Sequence, residues 1–259
     1  MKKTALITGA SSGLGKAYAY RLASMGHNLI LVARSTDKLE ALANDLNNQF
    51  QITSYVIPID LSEAYAAKKL YHELNERSLH VDILVNNAGV GASGPFIDHT
   101  FEENHRMVML NITTLMELTH LLLPAMVKKG YGDVINVASL MSFFSSPYMS
   151  VYAASKAFVL SFSEGISREY MSQGIRVIAI CPGTTDTNFF AQAPLDIKQR
   201  EFRTPEQVVD STFRALDRGK SHTVDGLSNT LLTLLPRLLP RKLLTAIFGT
   251  AMKKKTSQS

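Results

Sequence analysis

The chain has 259 residues, of which 46% are hydrophobic and 19% charged, a balance that fits a soluble globular domain and excludes a disordered chain. The net charge is +5, but no zinc-ligand spacing and no groove-reading basic helix accompanies it, so we expect no nucleic-acid partner. The single cysteine excludes an intrachain disulfide and favours a cytoplasmic location. The apolar runs are too short for a secretory leader or a membrane span.

Short apolar runs alternate with longer amphipathic segments along the chain. The runs predicted as strands are 4–8, 28–33, 52–59, 83–85, 133–138 and 175–181. The segments predicted as helices are 14–25, 36–48, 62–77, 102–128 and 151–172. This alternation is typical of βαβ units with right-handed crossovers, and it predicts a doubly wound parallel sheet covered by helices on both faces.

The chain from residue 229 onward has a different pattern. Leucine-rich runs are interrupted by Pro236 and Pro240, each followed by a basic residue, which predicts short helices separated at the prolines. An apolar stripe flanked by Arg237, Arg241 and Lys242 can lie on a membrane surface. It can equally pack on the domain or form a subunit interface, so the sequence leaves peripheral membrane contact open.

Three glycines follow the first predicted strand, in the stretch from Gly9 through Gly13 to Gly15. Glycine lets the backbone turn sharply there and leaves no Cβ in the way of a pyrophosphate. A helix that begins near Leu14 would direct its N–H groups and the positive end of its dipole at the phosphates. The spacing is not the usual Gly-x-Gly-x-x-Gly, and a tight connection also needs glycine, but the position after the first strand favours a nucleotide site.

The residues that end the second predicted strand indicate which nucleotide is bound. In NAD sites an acidic residue about 20 positions past the glycines takes the ribose 2′-hydroxyl. Here the region reads Val32-Ala33-Arg34-Ser35, with no carboxylate and with a guanidinium that can bind a 2′-phosphate. We therefore predict NADP(H) rather than NAD(H), although Arg34 could instead end a strand in solvent.

Tyr152 and Lys156 are four residues apart, so on a helix they share one face. A phenol has an ordinary pKa of about 10 and is a poor proton acceptor at neutral pH. A neighbouring ammonium favours the phenolate, and the pair can then act as an acid–base catalyst. Tyr-x-x-x-Lys also occurs by chance on surface helices, so the hypothesis depends on the motifs around it.

Further motifs occur in order along the chain. They are TGASSGLG at residues 8–15, Asp60-Leu61, Asn86-Asn87-Ala88-Gly89, Asn111, Ser139, and Pro182-Gly183 with Thr187. With Tyr152 and Lys156, they resemble the short-chain dehydrogenase/reductase family over residues 4–225. We therefore predict an α/β fold, a single doubly wound Rossmann-type domain with a seven-stranded parallel sheet flanked by helices over 1–228. A C-terminal helical extension with a basic tail is predicted over 229–259.

The resemblance implies a role for each catalytic residue. Tyr152 gives or takes the proton, and Ser139 hydrogen-bonds the substrate oxygen and steadies its developing charge. Lys156 binds the nicotinamide ribose and lowers the pKa of Tyr152. Asn111 holds a water that continues the proton relay to solvent. The cofactor supplies the hydride chemistry, and the protein orients it.

The resemblance also implies which residues contact the cofactor. They are Gly9, Ser11, Ser12, Gly13, Leu14, Gly15, Arg34, Asp60, Leu61, Asn87, Ala88, Gly89, Tyr152, Lys156, Pro182, Gly183, Thr185 and Thr187. Many NADP-preferring relatives carry a second basic residue where this chain has Ser12, so Arg34 alone would bind the 2′-phosphate. The seven histidines form no ligand-spaced cluster, and no metal is expected.

Two segments that set substrate choice in the family are apolar here. They contain Leu140, Met141, Phe143, Phe144, Pro147 and Tyr148 after Ser139, and Phe189, Phe190, Ala193 and Pro194 after Gly183. We hypothesise an oxidoreductase acting on an apolar carbonyl or alcohol, such as an acyl chain, a steroid-like ring or an aryl ketone. The same aromatic residues could instead serve packing or an interface.

The family usually assembles as homodimers or homotetramers through the helices expected at 102–128 and 151–172. Residues there that could form an interface or ordinary core are Met107, Met109, Leu118, Phe158 and Phe162.

The alternative functions are a catalytically silent nucleotide sensor and a membrane-surface scaffold of the same fold. Lost catalysis would normally show as a replaced Tyr, Lys or Ser, and all three are present. A sugar epimerase of the extended family would have a differently spaced glycine turn.

Overall fold

A parallel sheet forms the centre of the structure, a computed structural model that describes residues 2–185 and 203–256. The seven strands in this part of the chain are β1 (Thr4–Thr8), β2 (Asn28–Ala33), β3 (Ser54–Pro58), β4 (Ile83–Asn86), β5 (Gly132–Val137), β6 (Ile175–Cys181) and β7 (His222–Val224). Their order in the sheet is β3-β2-β1-β4-β5-β6-β7. The chain winds outward from β1 to β3 and then returns to β4. The carboxyl ends of β1 and β4 therefore border the crevice in which such sheets bind ligands.

Helices cover both faces of the sheet. They are α1 (Gly13–Ser24), α2 (Thr36–Phe50), α3 (Ala66–Glu76), α4 (Phe101–Val108), α5 (Thr114–Lys129), α6 (Ser150–Tyr170), α7 (Pro205–Asp217), α8 (Leu227–Leu232), α9 (Leu235–Leu238) and α10 (Arg241–Thr256). The core on one face includes side chains from α1, α2 and α7, and the core on the other includes side chains from α3, α5 and α6. Burial on both faces explains why the strands are continuous apolar runs rather than alternating ones.

The predicted fold class is confirmed, and all six strands predicted from apolar runs are present. The strand predicted over 52–59 is shorter, as β3 extends only over Ser54–Pro58. The seventh strand, β7, has three partly exposed residues and pairs with β6. A strand this short has too few residues to show a hydrophobic period, so no apolar run marked it.

Two predicted helices differ from the observed ones in their bounds or regularity. The helix predicted over 62–77 begins only at Ala66. The backbone N–H and hydroxyl of Ser62 donate to Asp60 Oδ1 at 2.9 and 2.6 Å, which holds a turn, and Tyr65 lies in the left-handed region with φ 61°. The helix predicted over 102–128 is present as the helical stretch Phe101–Lys129, but a π-helical turn, Met109–Thr113, which the sequence does not predict, lies between α4 and α5.

The helical stretch Phe101–Lys129 is long and apolar enough, by length and composition alone, to cross a membrane. On this stretch Leu118, Leu122 and Met126 are buried in the core on one face of the sheet. Core helices of soluble domains have the same composition, so we assign this stretch to the core.

The chain after β7 forms three helices separated at the two prolines, as the sequence predicts. Pro236 lies in the first turn of α9. The carbonyl of Pro240 accepts the backbone N–H groups of Leu243 and Leu244 at 3.0 and 3.2 Å and so begins α10. Proline lacks a donor that a first helical turn would leave unused, so both prolines begin helices.

Candidate active site

The turn after β1 has glycine at three positions where a side chain would be strained or would clash. Gly9 and Gly13 have φ values of +66° and +52°, and a Cβ on Gly15 would lie 2.1 Å from the carbonyl oxygen of Gly9. Ser12 precedes α1, and its side chain makes no capping hydrogen bond. The turn is thus a cradle that a Cβ would fill, at a helix N-terminus whose first N–H groups can receive an anion.

The residues after β4 fix this turn in place. The Thr8 hydroxyl donates to the Val85 carbonyl at 3.2 Å and accepts the N–H groups of Asn87 and Ala88 at 2.9 and 3.0 Å. The Asn87 side-chain amide donates to the carbonyls of Thr8 and Gly9 at 2.9 and 3.2 Å. The motif at 86–89 therefore joins the ends of β1 and β4 at the switch point of the sheet.

Asn86, in the same motif, is part of a buried polar network. Its amide nitrogen donates to Thr119 Oγ1 at 3.1 Å and to Asn136 Oδ1 at 2.9 Å. The Asn136 amide donates in turn to Ser163 Oγ at 2.9 Å. Because buried polar groups without partners are costly, this network fixes β4 and β5 against α5 and α6.

Arg34 and Asp60 lie close together at the ends of β2 and β3. Arg34 is 65% exposed, and its guanidinium is 3.8 Å from Asp60 Oδ2, which also accepts a hydrogen bond from Arg106 at 2.6 Å. Burial acts to raise the pKa of Asp60, but hydrogen bonds from Ser62 and the charges of Arg106 and Arg34 outweigh it and lower that pKa. The sequence predicted Arg34 and Asp60 but missed Ser62 and Arg106, because neither belongs to a motif.

Tyr152 lies in the first turn of α6, is 4% exposed, and has a side-chain hydrogen bond to Ser139. The Ser139 oxygen also accepts the N–H of Met141 at 3.1 Å, which holds the hydroxyl beside Tyr152. Burial raises the pKa of Tyr152 to about 12, and the hydrogen bond from Ser139 acts in the opposite direction. The phenol is therefore protonated at neutral pH.

Lys156 is one turn further along α6, and its side chain is also buried. Its Nζ donates to the Val137 carbonyl at 2.7 Å and lies 5.9 Å from the ring centroid of Tyr152. Burial lowers the pKa of Lys156 to about 8. The expected role of Lys156, to lower the pKa of Tyr152, stays a prediction, and burial is the largest influence on the phenol in this structure.

Gly89 brings Asn111 and Lys156 together. A Cβ on Gly89 would lie 3.1 Å from Asn111 Oδ1 and 3.5 Å from Lys156 Nζ. The Asn111 side chain makes three of its four possible hydrogen bonds, because its oxygen accepts the N–H of Val90 at 3.0 Å and its nitrogen donates to the Val90 carbonyl and Ser155 Oγ at 2.9 and 3.0 Å. A water held at Asn111 would therefore bind its backbone, which lies in the π-helical turn outside the regular helical ladder.

The segment after β6 borders the same region. The Pro182 carbonyl accepts the N–H of Leu140 at 2.8 Å, and the Thr185 hydroxyl donates to the Gly183 carbonyl at 3.3 Å. A Cβ on Gly183 would lie 2.3 Å from the side-chain nitrogen of Asn229 in α8. The predicted residues Thr187, Phe189, Phe190, Ala193 and Pro194 lie outside the described residues.

Two predicted cofactor contacts are largely packed away. Leu61 is buried in the core beside α3 and α5, and Leu14 packs against the core on the opposite face of the sheet. These two residues can offer a cofactor mainly their backbone groups. Ser11 is partly exposed within the glycine turn.

The apolar wall beside Tyr152 is rich in methionine. Met107 and Met149 are buried against Tyr152, and the partly buried residues around them are Val90, Ala92, Met141, Val151 and Met252. The sequence indicates Met107 only as an interface or core residue, and it has no signal for Met149 or Met252. These residues come from four separate parts of the chain, so no local pattern joins them.

The aromatic residues proposed for the substrate side serve packing. Phe144 packs on Phe248 of α10 with ring centroids 4.6 Å apart, and Phe143 lies 6.2 Å from the ring of His222. Of the segment 140–144, Met141 is the residue that packs against the Tyr152 cluster. Phe143 and Phe144 also line a cavity of about 480 Å³ between α6 and α10, so their part in substrate choice stays a prediction.

Together, the parallel sheet and the cradle at its switch point define a Rossmann-type nucleotide-binding domain. A family model described as short chain dehydrogenase matches residues 3–198. The chain belongs to the short-chain dehydrogenase family.

Relatives in this family are oxidoreductases by name. The very-long-chain 3-oxoacyl-CoA reductase of Anas platyrhynchos is 35% identical over 184 residues, covering 69% of this chain and 58% of that protein. The sulfoacetaldehyde reductase of Chromohalobacter salexigens is 35% identical over 191 residues, covering 73% and 75%. This chain therefore spans less than two thirds of the length of the first of these relatives.

Solved structures show the same architecture. A short-chain dehydrogenase from Sphingobium yanoikuyae in complex with NADPH has 35% identity and a TM-score of 0.82, covering 91% of this chain and 94% of that one. The bulky-bulky ketone specific alcohol dehydrogenase from Comamonas testosteroni has 34% identity and a TM-score of 0.78, covering 91% and 93%.

Proposed function

We propose that this chain is an NADP(H)-dependent oxidoreductase that interconverts a carbonyl and an alcohol on an apolar substrate. The observation that carries this proposal is the buried contact between Tyr152 and Ser139, with the Lys156 amine 5.9 Å from the phenol ring. Lys156 lies near Gly89, and the preceding residues Asn87 and Ala88 contact the glycine turn. Titratable groups with pKa values displaced by burial in such a crevice are typical of catalytic sites.

The protonated phenol suits Tyr152 to act as the acid in carbonyl reduction. Ser139 and Tyr152 would both donate hydrogen bonds to the substrate oxygen, which steadies the negative charge that develops there. Tyr152 would then transfer its proton to that oxygen. With a pKa of about 12, the phenol keeps this proton until the substrate oxygen becomes basic enough to take it.

Lys156 and Asn111 would restore the proton of Tyr152. With a pKa of about 8, the buried Lys156 is mostly charged at neutral pH and would stabilise the phenolate left by proton transfer. We assign the water that links Lys156 to solvent to the backbone carbonyl of Asn111, since the Asn111 side chain already makes three hydrogen bonds.

The residues around the cradle fit a phosphorylated dinucleotide. Gly9, Gly13 and Gly15 would hold its pyrophosphate, and Arg34 would bind the 2′-phosphate. When bound, NADPH supplies the hydride for reduction. Two observations support NADP(H): no carboxylate follows β2 directly, and Ser35 precedes α2 with a side chain that makes no capping hydrogen bond. Asp60 competes for Arg34 only weakly at 3.8 Å, because Arg106 is closer.

The methionine-rich wall supports a bulky apolar substrate. Methionine side chains are unbranched and polarisable, so they adapt to ligands of irregular shape. The names of two relatives agree with this proposal, since one reduces very-long-chain 3-oxoacyl-CoA and another is specific for bulky-bulky ketones. We propose acyl chains, ring systems and aryl ketones as the substrate class.

We also propose that the chain is cytoplasmic and forms a homodimer or homotetramer through α5 and α6. Of the residues suggested from the sequence, Met107 and Leu118 are buried within the domain and are not available to an interface. Phe158 and Phe162 are partly buried on α6, and their rings stack with centroids 5.6 Å apart. Sedimentation velocity of the wild type and of a Phe158→Ala variant would measure the oligomeric state.

The decisive experiment measures NADPH and NADH oxidation against a panel of ketones and aldehydes, with Tyr152→Phe as the variant. We expect turnover with NADPH on apolar ketones, and a loss of about 10²- to 10⁴-fold in Tyr152→Phe because its phenolic proton is gone. Tyr71→Phe is the matched control, since Tyr71 lies on α3 and packs in the core away from the site.

Three results would contradict the proposal. Full activity of Tyr152→Phe would remove the acid from the mechanism, and a clear preference for NADH would remove the NADP(H) assignment. NADPH binding without turnover on any carbonyl would favour the silent nucleotide sensor instead.

A further inference from the structure

The positive charge of the chain is concentrated at its C-terminal end. From residue 226 onward the sequence has no Asp or Glu and has six basic residues, Arg237, Arg241, Lys242, Lys253, Lys254 and Lys255. Six of the 27 basic residues thus lie there. Residues 1–225 contain the other 21 basic residues and all 22 acidic residues. The body of the protein is near neutral, and the C-terminal helices carry the whole excess.

The segment 227–247 has nearly half of the exposed large hydrophobic side chains in the part of the chain that the structure describes. Of the fifteen large hydrophobic side chains that are exposed, seven lie here: Leu227, Leu231, Leu232, Leu234, Leu238, Leu243 and Ile247. Leu227 and Leu238 are 85% and 75% exposed. An apolar patch of this kind marks an interaction surface rather than the scatter of single residues that every surface shows.

Helix α10 has an inner and an outer face. Leu244, Phe248 and Met252 are spaced by four residues, and they pack inward, where Phe248 contacts Phe144 and Met252 reaches the Tyr152 cluster. Leu243 and Ile247, also four apart, are exposed on the outer face. The inner face is thus occupied by the body of the protein, and the outer face is left to a partner.

The packing beneath α10 is incomplete. A cavity of about 480 Å³ separates α10 from α6, and its walls include Arg241, Leu244 and Thr245 on one side and Ala153 and Ala157 on the other. The C-terminal helices therefore lie on the surface of the domain and are not sealed into its core.

We propose that α8, α9 and α10 form a docking face for an anionic lipid bilayer. The exposed leucines would enter the interfacial layer, and the basic residues would meet the lipid head groups. A second copy of this chain suits the surface less well, because residues 226–259 have six basic residues and no Asp or Glu, so two copies of this segment facing each other would repel.

The docking face and the proposed active site share one helix. Met252, on the inner face of α10, packs with the residues around Tyr152, while Ile247 faces outward less than two turns away. Membrane docking would therefore hold the apolar side of the active site close to the lipid surface. Vesicle binding does not depend on turnover, so this inference can fail or hold separately from the proposed function.

The test is vesicle co-sedimentation of the full chain with neutral phosphatidylcholine vesicles and with vesicles that also contain phosphatidylserine. We expect binding to the anionic vesicles, weakened by salt. The triple variant Arg237→Gln, Arg241→Gln, Lys242→Gln should bind about 100-fold more weakly, at about fivefold for each charge removed. A second variant, Leu231→Ser with Leu238→Ser, should also lose binding while keeping the charges.

The matched control is Lys68→Gln, Lys69→Gln, Lys128→Gln, which removes three exposed charges from α3 and α5. This control should bind like the wild type, and circular dichroism should show that all variants are folded. Equal binding by both triple variants, or no preference for anionic vesicles, would overturn the docking face. It would also be overturned if the leucine variant changed the oligomeric state and left vesicle binding intact.

Discussion

The body of the protein and its C-terminal helices use leucine and lysine in opposite ways. In the body, apolar residues are inside the sheet and helices, and the one lysine of the site, Lys156, is buried. From α8 to α10, six leucines are exposed, and the basic residues are gathered in a segment without acidic residues. A residue type therefore does not determine its own role, since its neighbours and its element decide whether it supports a core, a reaction or a surface.

The two regions also differ in their relation to the family. The matched family region extends over 3–198 and therefore ends before α8. Yet Asn229 of α8 lies so close to Gly183 that a Cβ on Gly183 would clash with it, and Met252 of α10 packs against the cluster of Met107, Met149 and Tyr152. The C-terminal helices are thus outside the shared family core and still contact its proposed active site.

If nucleotide binding depends on the body of the protein alone, a substitution in the glycine turn should weaken it. Gly15→Ala is expected to have the largest effect of the variants considered. The new Cβ would lie 2.1 Å from the Gly9 carbonyl, and Asn87 prevents the turn from moving away. We expect the Kd for NADPH to rise about 100-fold or more, since about 3 kcal/mol of overpacking strain corresponds to that factor. Calorimetric titration with NADPH measures it.

Gly165→Ala is the matched control for this prediction. Gly165 lies within α6, and no atom lies within 4 Å of the position its Cβ would take. Alanine should leave NADPH affinity unchanged and raise the free energy of unfolding by up to about 1 kcal/mol, because glycine is the poorer helix former. If Gly15→Ala bound NADPH as tightly as this control, the cradle would not be the nucleotide site.

Most of the body could be predicted from its sequence because burial on both faces of a parallel sheet leaves long apolar runs. The runs at β1, β2 and β6 gave the strands with their observed bounds. The π-helical turn at Asn111 could not be found this way, because its residues keep the apolar character of the helices on either side. The left-handed Tyr65 that delays α3 is equally invisible, since tyrosine rarely adopts that conformation.

The candidate site was predictable where it follows motifs and unpredictable where it follows packing. Spacing alone placed Tyr152 and Lys156 on one face of a helix, and the structure brings them together with Ser139. Burial raises the pKa of Tyr152, and Tyr152 is buried in a cluster with Met107 and Met149, of which Met107 comes from a distant part of the chain. Burial depends on tertiary contacts, so the spacing of residues on one helix could not predict its effect on the pKa of Tyr152.

The buried Lys156 predicts an alkaline limit to carbonyl reduction. Because its pKa is about 8, its charge is lost as the pH rises through that value, and the phenolate of Tyr152 loses its stabilising partner. We expect kcat/KM to fall about tenfold per pH unit above pH 8. In the unfolded chain Lys156 has its ordinary pKa of 10.5, so the unfolded state binds more protons between pH 8 and 10.5, and this residue makes stability rise with pH there.

Lys156→Arg separates this explanation from others. A guanidinium stays charged throughout the range, so the decline above pH 8 should disappear even though the altered geometry lowers the overall rate. Tyr152 and Cys181 both have pKa values raised by burial to about 12 and do not titrate near pH 8. An unchanged alkaline limb in Lys156→Arg would show that another group controls the rate.

The smallest expected effect concerns the two faces of α10. Met252→Ala removes apolar contact from the wall beside Tyr152. Because Met252 is only partly buried, we expect KM for bulky ketones to rise about fourfold, which corresponds to about one buried methylene at about 0.8 kcal/mol. Ile247→Ala, on the exposed face, should leave that KM unchanged and weaken binding to anionic vesicles. Steady-state kinetics and vesicle binding on both variants measure this division. If Ile247→Ala changed KM as much as Met252→Ala, α10 would be a single packing element and its outer face would have no separate role.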